Sequence, residues 1–362
     1  MAASGRGDSA KLREEKLEEI ASRLEAAVEE LTTGEDWIRA ITFAARFRSR
    51  SFGNTLLICS QHVAAYVEGR VTAPYPTYVA GYKQWQQLGR SVKGQTGYKI
   101  YAPVKARLAT ATPADSTSWR RLARYERPRS DEIVRVRTVG MRPAYVWDVS
   151  QTTGPPLPER PAPELLAGQA PDGLWDGLVA KITAAGYTVT TAPDASTLHG
   201  ANGVTDFVAR TVQVRADMDP AARVKTLAHE HAHITLGHES RRAECLHRGI
   251  GEVEAESVAM MIAATYGMDT SNYTIPYVST WAAAVDNTRP VDVVRATGER
   301  VRATALEILA GLPEPPIGDG RPPGLAELPE AEREVIGQRL GPVAASRAAD
   351  RDRAGHRPVV EL

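Results

Sequence analysis

The sequence predicts an α+β protein of two domains. Helical apolar spacing in the first sixty-odd residues gives way to period-two alternation near residue 100, a run of prolines interrupts the chain near its middle, and a second mixture of helix and strand follows. With 362 residues, 43% of them hydrophobic, the chain is long enough to build two ordinary cores.

The elements follow in order. Leu12, Leu17, Ile20, Leu24, Val28 and Leu31 fall at helical spacing, so residues 9–32 form an amphipathic helix that ends before Gly34. A second helix runs from Trp37 to about Arg48, and Ser51 and Asn54 suit a turn ahead of a third that carries Leu56, Leu57, Ile58 and Val63. YPTYVAGYKQWQQLGR reads as an extended stretch and a short helix, GYKIYAPVKARL as a strand, 109–118 as a loop, and RPAYVWDVSQ as a closing strand, with 119–129 left open. Six prolines between Thr152 and Gly173 remove backbone donors and place the domain boundary there. The expected division is thus a domain over 9–155, a linker over 156–173, a second domain over 174–312 and a disordered tail over 313–362. The second domain is expected to open with a helix (174–185), a strand (187–192) and a hairpin around Val208 and 212–214. Asp219 and Pro220 then supply an N-cap and a first-turn proline for a helix, and a further helix runs from about 251 to 266.

Composition narrows the function classes. No apolar run approaches the roughly 20 residues that span a bilayer, and the first residues lack a secretory apolar region, so a cytoplasmic protein without membrane contact is expected. Two cysteines, Cys59 and Cys245, cannot build a disulfide framework. The net charge of zero hides a local imbalance: from Trp37 to Arg107 there are eleven basic residues and one acid, Glu68.

Within LAHEHAHITLGH, His229, Glu230 and His233 match H-E-x-x-H. Residues i and i+4 share a helix face, so both histidines can turn a nitrogen to one ion with Glu230 beside them. A catalytic zinc takes three protein ligands and leaves a position for water. The pattern that supplies a third histidine fails at Leu236 and Glu239, and GEVEAESVAMM offers Glu252 as third ligand with Glu256 one turn on to hydrogen-bond a ligand histidine. Glu254 is the main rival, and His238 and His247 are read as exposed polar side chains. One zinc ion per chain would acidify water, Glu230 would serve as general base, and Tyr277 in YVSTW is the expected donor opposite it.

These residues, with SFGNTLLI, YKQWQQLGRSVKGQTGYKIY and AYVWDVSQTTG before them, resemble ArdC-type antirestriction proteins. The resemblance implies an N-terminal single-stranded-DNA-binding domain over roughly 12–155 and a C-terminal zincin-like metallopeptidase of the glutamate-ligand kind, protecting the DNA of an incoming mobile element. The peptidase half is also similar to the ImmA and IrrE regulators, which implies one rival, a protease that cleaves a repressor; a second rival is a non-catalytic DNA-binding protector with a structural metal. Residues 111–129 depart from the family pattern. Single strands are held by basic grooves with aromatic rings on which bases stack. The expected contacts are Arg48, Arg50, Tyr78, Tyr82, Lys83, Trp85, Arg90, Lys93 and Lys99, with an unknown protein as the peptidase substrate.

Overall fold

The computed structural model describes residues 4–158, 168–241, 249–270, 275, 281–282 and 288–325. Three helices come first: α1 (Ser4–Glu29), α2 (Gly34–Arg46) and α3 (Phe52–Val67). α2 starts three residues before the expected Trp37 because Thr33 and Asp36 form a reciprocal cap, with Asp36 N–H donating to Thr33 Oγ1 at 3.1 Å and Thr33 N–H to Asp36 Oδ2 at 2.9 Å. Ser51 caps α3 through Asn54 N–H, as its position before the apolar run suggests.

β1 (Val79–Gly81), the short α4 (Tyr82–Gln87), β2 (Tyr98–Thr110), β3 (Arg120–Arg121) and β4 (Ile133–Asp148) complete the N-terminal half. The strands form one antiparallel sheet in the order β1-β4-β2-β3. β4 begins nine residues before the strand the sequence suggests, because β2 pairs with it along its whole length as a two-stranded ribbon with one bulge at Val104/Lys105.

The C-terminal half holds α5 (Leu174–Ala184), β5 (Thr188–Ala192), β6 (Gly203–Asp206), β7 (Thr211–Arg215), α6 (Pro220–Thr235), α7 (Ile250–Thr265) and α8 (Pro290–Leu309). β7 is central, parallel to β5 and antiparallel to β6. Val208 is not in a strand but in the turn of the β6–β7 hairpin, 95% exposed. Asp219 accepts from Ala222 N–H at 2.8 Å and caps α6 ahead of Pro220, as expected.

The two expected halves share an apolar core. Residues up to Leu325 form one compact unit, and a single apolar cluster runs from Ile20, Trp37 and Phe52 through Leu227 and Met260 to Val301. Trp37 donates its indole N–H to the buried Ser257 Oγ at 2.8 Å and packs edge-on against Trp281, ring centroids 5.2 Å apart. α8 lies so close to α3 that a Cβ on Gly298 would sit 2.3 Å from the Phe52 ring. The apolar face of α2 is therefore covered mainly by α7, while α3 packs on α1 and β2 of its own half and on α8. The tail expectation also changes at its start, since residues 313–325 pack on the body. Val79 N–H donates to Gly320 O at 2.8 Å and Tyr266 Oη–H to Pro313 O at 2.5 Å. Residues 326–362 and most of the linker, 159–167, lie outside the described residues. None of the helices searched is long and apolar enough to cross a membrane.

Candidate metal centre

α6 and α7 pack against each other and bring three acceptor groups to one point. His229 Nε2 and His233 Nε2 are 3.0 Å apart, and the Glu252 carboxylate lies 3.4 Å from the first and 3.6 Å from the second. A tetrahedral zinc with bonds of about 2.0–2.2 Å separates its ligands by about 3.4 Å, so the triangle has the size such an ion needs. The fit comes from helix geometry on both sides: His229 and His233 are one turn apart on α6, and Glu252 and Glu256 one turn apart on α7.

The surrounding hydrogen bonds fix which nitrogens carry protons. A carboxylate only accepts, so His229 Nδ1–H donates to Glu256 Oε2 at 3.0 Å, and His238 Nε2–H donates to Glu254 Oε2 at 3.1 Å. His238 then accepts at Nδ1 from His233 Nδ1–H, 2.8 Å away. Both Nε2 atoms are left as lone pairs facing each other and the Glu252 carboxylate. Such a triangle is repulsive until a positive charge enters it. Without a metal that charge is a proton: burial opposes it, but the hydrogen bonds to Glu252 and Glu256 outweigh burial and push His229 up to about 10. Burial, with His229 next to it, pushes His233 down to about 4. A divalent cation satisfies all three acceptors at once.

The sequence reading missed His238. It is 6% exposed and orients His233, rather than standing free on the surface. Its only sequence signal was a position five residues past His233, after the helix has turned back at Gly237. Glu254, the rival ligand, faces away from the triangle. It is fully buried and accepts from His238, from Arg241 at 3.0 Å and from Arg300 on α8 at 2.7 Å.

Glu230 sits beside the triangle, 6% exposed, and its Oε2 accepts from Thr205 Oγ1 on β6 at 2.7 Å. Burial pushes its carboxyl up, against the Thr205 hydrogen bond and the charge of His229. A cavity of about 270 Å³ opens here between Asn202, Gly203, Thr226, His229 and Glu230. Gly203 keeps it open, since a Cβ there would come 2.6 Å from Thr226 Cγ2 and 3.0 Å from Glu230 Oε1. β6 is the edge strand of its sheet and forms this wall. Tyr277, His247 and Cys245 lie outside the described residues.

The residues expected to contact nucleic acid divide sharply. Trp85 is fully buried and donates its indole N–H to Trp147 O at 3.0 Å, so it has no face for a base. That assignment is corrected. Arg50 donates to Val79 O at 2.6 Å, and burial pushes it down to about 10 despite Asp319. Arg48 donates to the Ile317 and Gly318 carbonyls, and Lys99 to Glu19 at 2.6 Å. Arg90 spends its guanidinium on Thr152 and on the Gly154 and Pro155 carbonyls. These four cations hold the chain together. Tyr78 is half-buried, while Tyr82, Lys83 and Lys93 remain exposed.

Residues 10–140 match the family model of the N-terminal domain of anti-restriction factor ArdC. An uncharacterized Bacillus anthracis protein is 24% identical over 294 residues, which is 75% of this chain but 48% of that protein, so the chain spans about half of its length. A metal-free crystal structure of the antirestriction ArdC protein from the R388 plasmid aligns over 73% of this chain and 86% of that one, at 19% identity and a TM-score of 0.42.

Proposed function

From an ArdC-like chain whose residues 10–140 carry that family's N-terminal domain, we propose a single-stranded-DNA-binding zinc metallopeptidase of the antirestriction type. The observation that carries the peptidase half is the convergence of two imidazole lone pairs and a carboxylate, with a second buried carboxylate, Glu230, next to them.

His229, His233 and Glu252 would hold the ion, and Glu256 and His238 fix the two rings. Bound there, zinc supplies a Lewis acid and an acidified water. Glu230, whose buried carboxyl holds a proton more readily than an exposed one, is the general base, and Thr205 aims it. The free edge of β6 offers backbone N–H and C=O groups to an extended peptide laid along the cavity. A substrate strand there would run past Glu230 with its carbonyls turned to the triangle. Tyr277 remains the proposed donor opposite Glu230, and the setting is protection of incoming mobile-element DNA.

The test is metal analysis paired with cleavage of an unstructured protein such as casein. Wild type should carry close to one zinc per chain, His229→Ala, His233→Ala and Glu252→Ala should each lose it, and Glu230→Gln should keep zinc and lose cleavage. Zinc retained in full by Glu252→Ala, or cleavage surviving in Glu230→Gln, would sink the proposal.

A further inference from the structure

The β2–β4 ribbon has two parts. Near the body, Tyr101 Oη–H donates to Leu17 O of α1 at 3.3 Å, Arg13 donates to Met141 O, and Tyr98, Ile100 and Val146 enter the main core. Beyond the bulge at Val104/Lys105 the ribbon carries no residue of either apolar cluster. Its bonds there close on its own loop: Arg107 and Arg120 reach Glu126, Arg120 reaches Glu132, and Leu122 N–H donates to Arg107 O. Six residues per strand at about 3.4 Å each make a projecting arm roughly 20 Å long.

The arm is strongly basic. Residues 103–142 hold ten Arg or Lys and four acids. Two of those acids, Glu126 and Glu132, are both taken by Arg120, which folds the tip and leaves the other cations unneutralised. Among the described residues, Lys105, Arg121 and Arg127 form no ion pair, and all three are exposed. Tyr125 at the tip is 84% exposed, with the Arg124 guanidinium 5.3 Å from its ring centroid. The Arg135 and Arg137 guanidiniums both lie over Trp119, 5.3 and 4.8 Å from its ring centroid. An aromatic ring so exposed, beside arginines that form no ion pair among the described residues, is suited to a base with its phosphates.

We propose that this arm, rather than the 78–99 stretch the sequence pointed to, is the principal grip on single-stranded DNA. Tyr125 stacks on an unpaired base while Arg121, Arg124 and Arg127 take the flanking phosphates. The proposal rests on the DNA-binding reading above and gives it a location. An unpaired base is required because a duplex offers no free face to Tyr125. The exposed Val134, Val136 and Val139 on the ribbon would also suit a protein, but the excess of cations favours a polyanion.

The experiment uses the full chain and a fluorescently labelled oligothymidylate, read by anisotropy across a salt series. Arg121→Ala/Arg124→Ala/Arg127→Ala should weaken binding at least about tenfold and reduce the log–log salt slope by about 2, at roughly 0.7 per lost phosphate contact. Tyr125→Ala should weaken it about five- to a hundredfold with the slope unchanged, and Tyr125→Phe should restore it. Lys83→Ala/Lys93→Ala should have the smaller effect. Wild-type binding that is unaltered in the arm variants, or lost only in Lys83→Ala/Lys93→Ala, overturns the location and leaves the DNA-binding reading standing. So does an unlabelled duplex that competes as well as a single strand. A wild-type chain that does not bind the oligonucleotide overturns both. Melting temperatures of the variants should match wild type, because these side chains touch no core.

Discussion

His238 shows how much a single residue outside the motif contributes to the site. It donates to the buried Glu254 and accepts from His233, so it sets the tautomer that leaves His233 Nε2 free for a metal. Groups that orient a ligand histidine in this way are commonly worth about 10- to 100-fold in metal affinity. His238→Ala is therefore expected to bind zinc that much more weakly, in a competition titration against a chromophoric chelator, with helical content preserved. Affinity equal to wild type would reduce His238 to a packing residue. The same scale explains the fate of Arg48, Arg50, Arg90 and Lys99. Each was a cation in a basic stretch, and each found a carbonyl or carboxylate of its own chain before any phosphate could claim it.

At the scale of elements, α8 does the joining. Glu299 accepts the Phe52 N–H at 2.8 Å and so caps α3, Arg300 holds Glu254, and Arg302 donates to Arg48 O at 2.9 Å just past the end of α2. One helix of the C-terminal half thus satisfies backbone groups of the N-terminal half and the buried carboxylate behind the metal centre. A carboxylate at a helix start meets free N–H groups and the favourable end of the dipole. Glu299→Ala is expected to cost about 1 kcal/mol of stability in urea unfolding, the usual worth of a helix cap, with zinc content unchanged. A loss of metal in that variant would show instead that displacement of α8 reaches Arg300 and Glu254.

For the whole molecule, Glu254 ties α7, α8 and the turn after α6 at one buried point, and it predicts acid behaviour. Burial opposes its charge, but the hydrogen bond from His238 and the charges of Arg300 and Arg241 outweigh burial and hold the carboxyl down at about 2. A carboxyl depressed on folding from an unfolded value of about 4.3 contributes stability that is complete above that value and is lost as the pH falls toward about 2. In the presence of a chelator, so that metal release plays no part, the wild-type melting temperature should fall more steeply between about pH 4.5 and pH 2.5 than that of Glu254→Gln, which has no such group to titrate. Parallel curves would mean that other carboxylates carry the acid transition. What the sequence determined by itself is local. The helix of His229 and His233, the i, i+4 pair Glu252 and Glu256, and the caps at Ser51 and Asp219 all follow from spacing along one chain segment, which backbone geometry converts directly into shared faces. The tertiary structure alone decided that Glu252 rather than Glu254 meets the histidines, that Trp85 is interior, that the two halves share a core, and that, among the described residues, the β2–β4 arm carries exposed cations without ion pairs. These are matters of which distant groups come within a few ångströms, and a cation or a ring carries no mark in its own segment of whether the fold will bring it a partner.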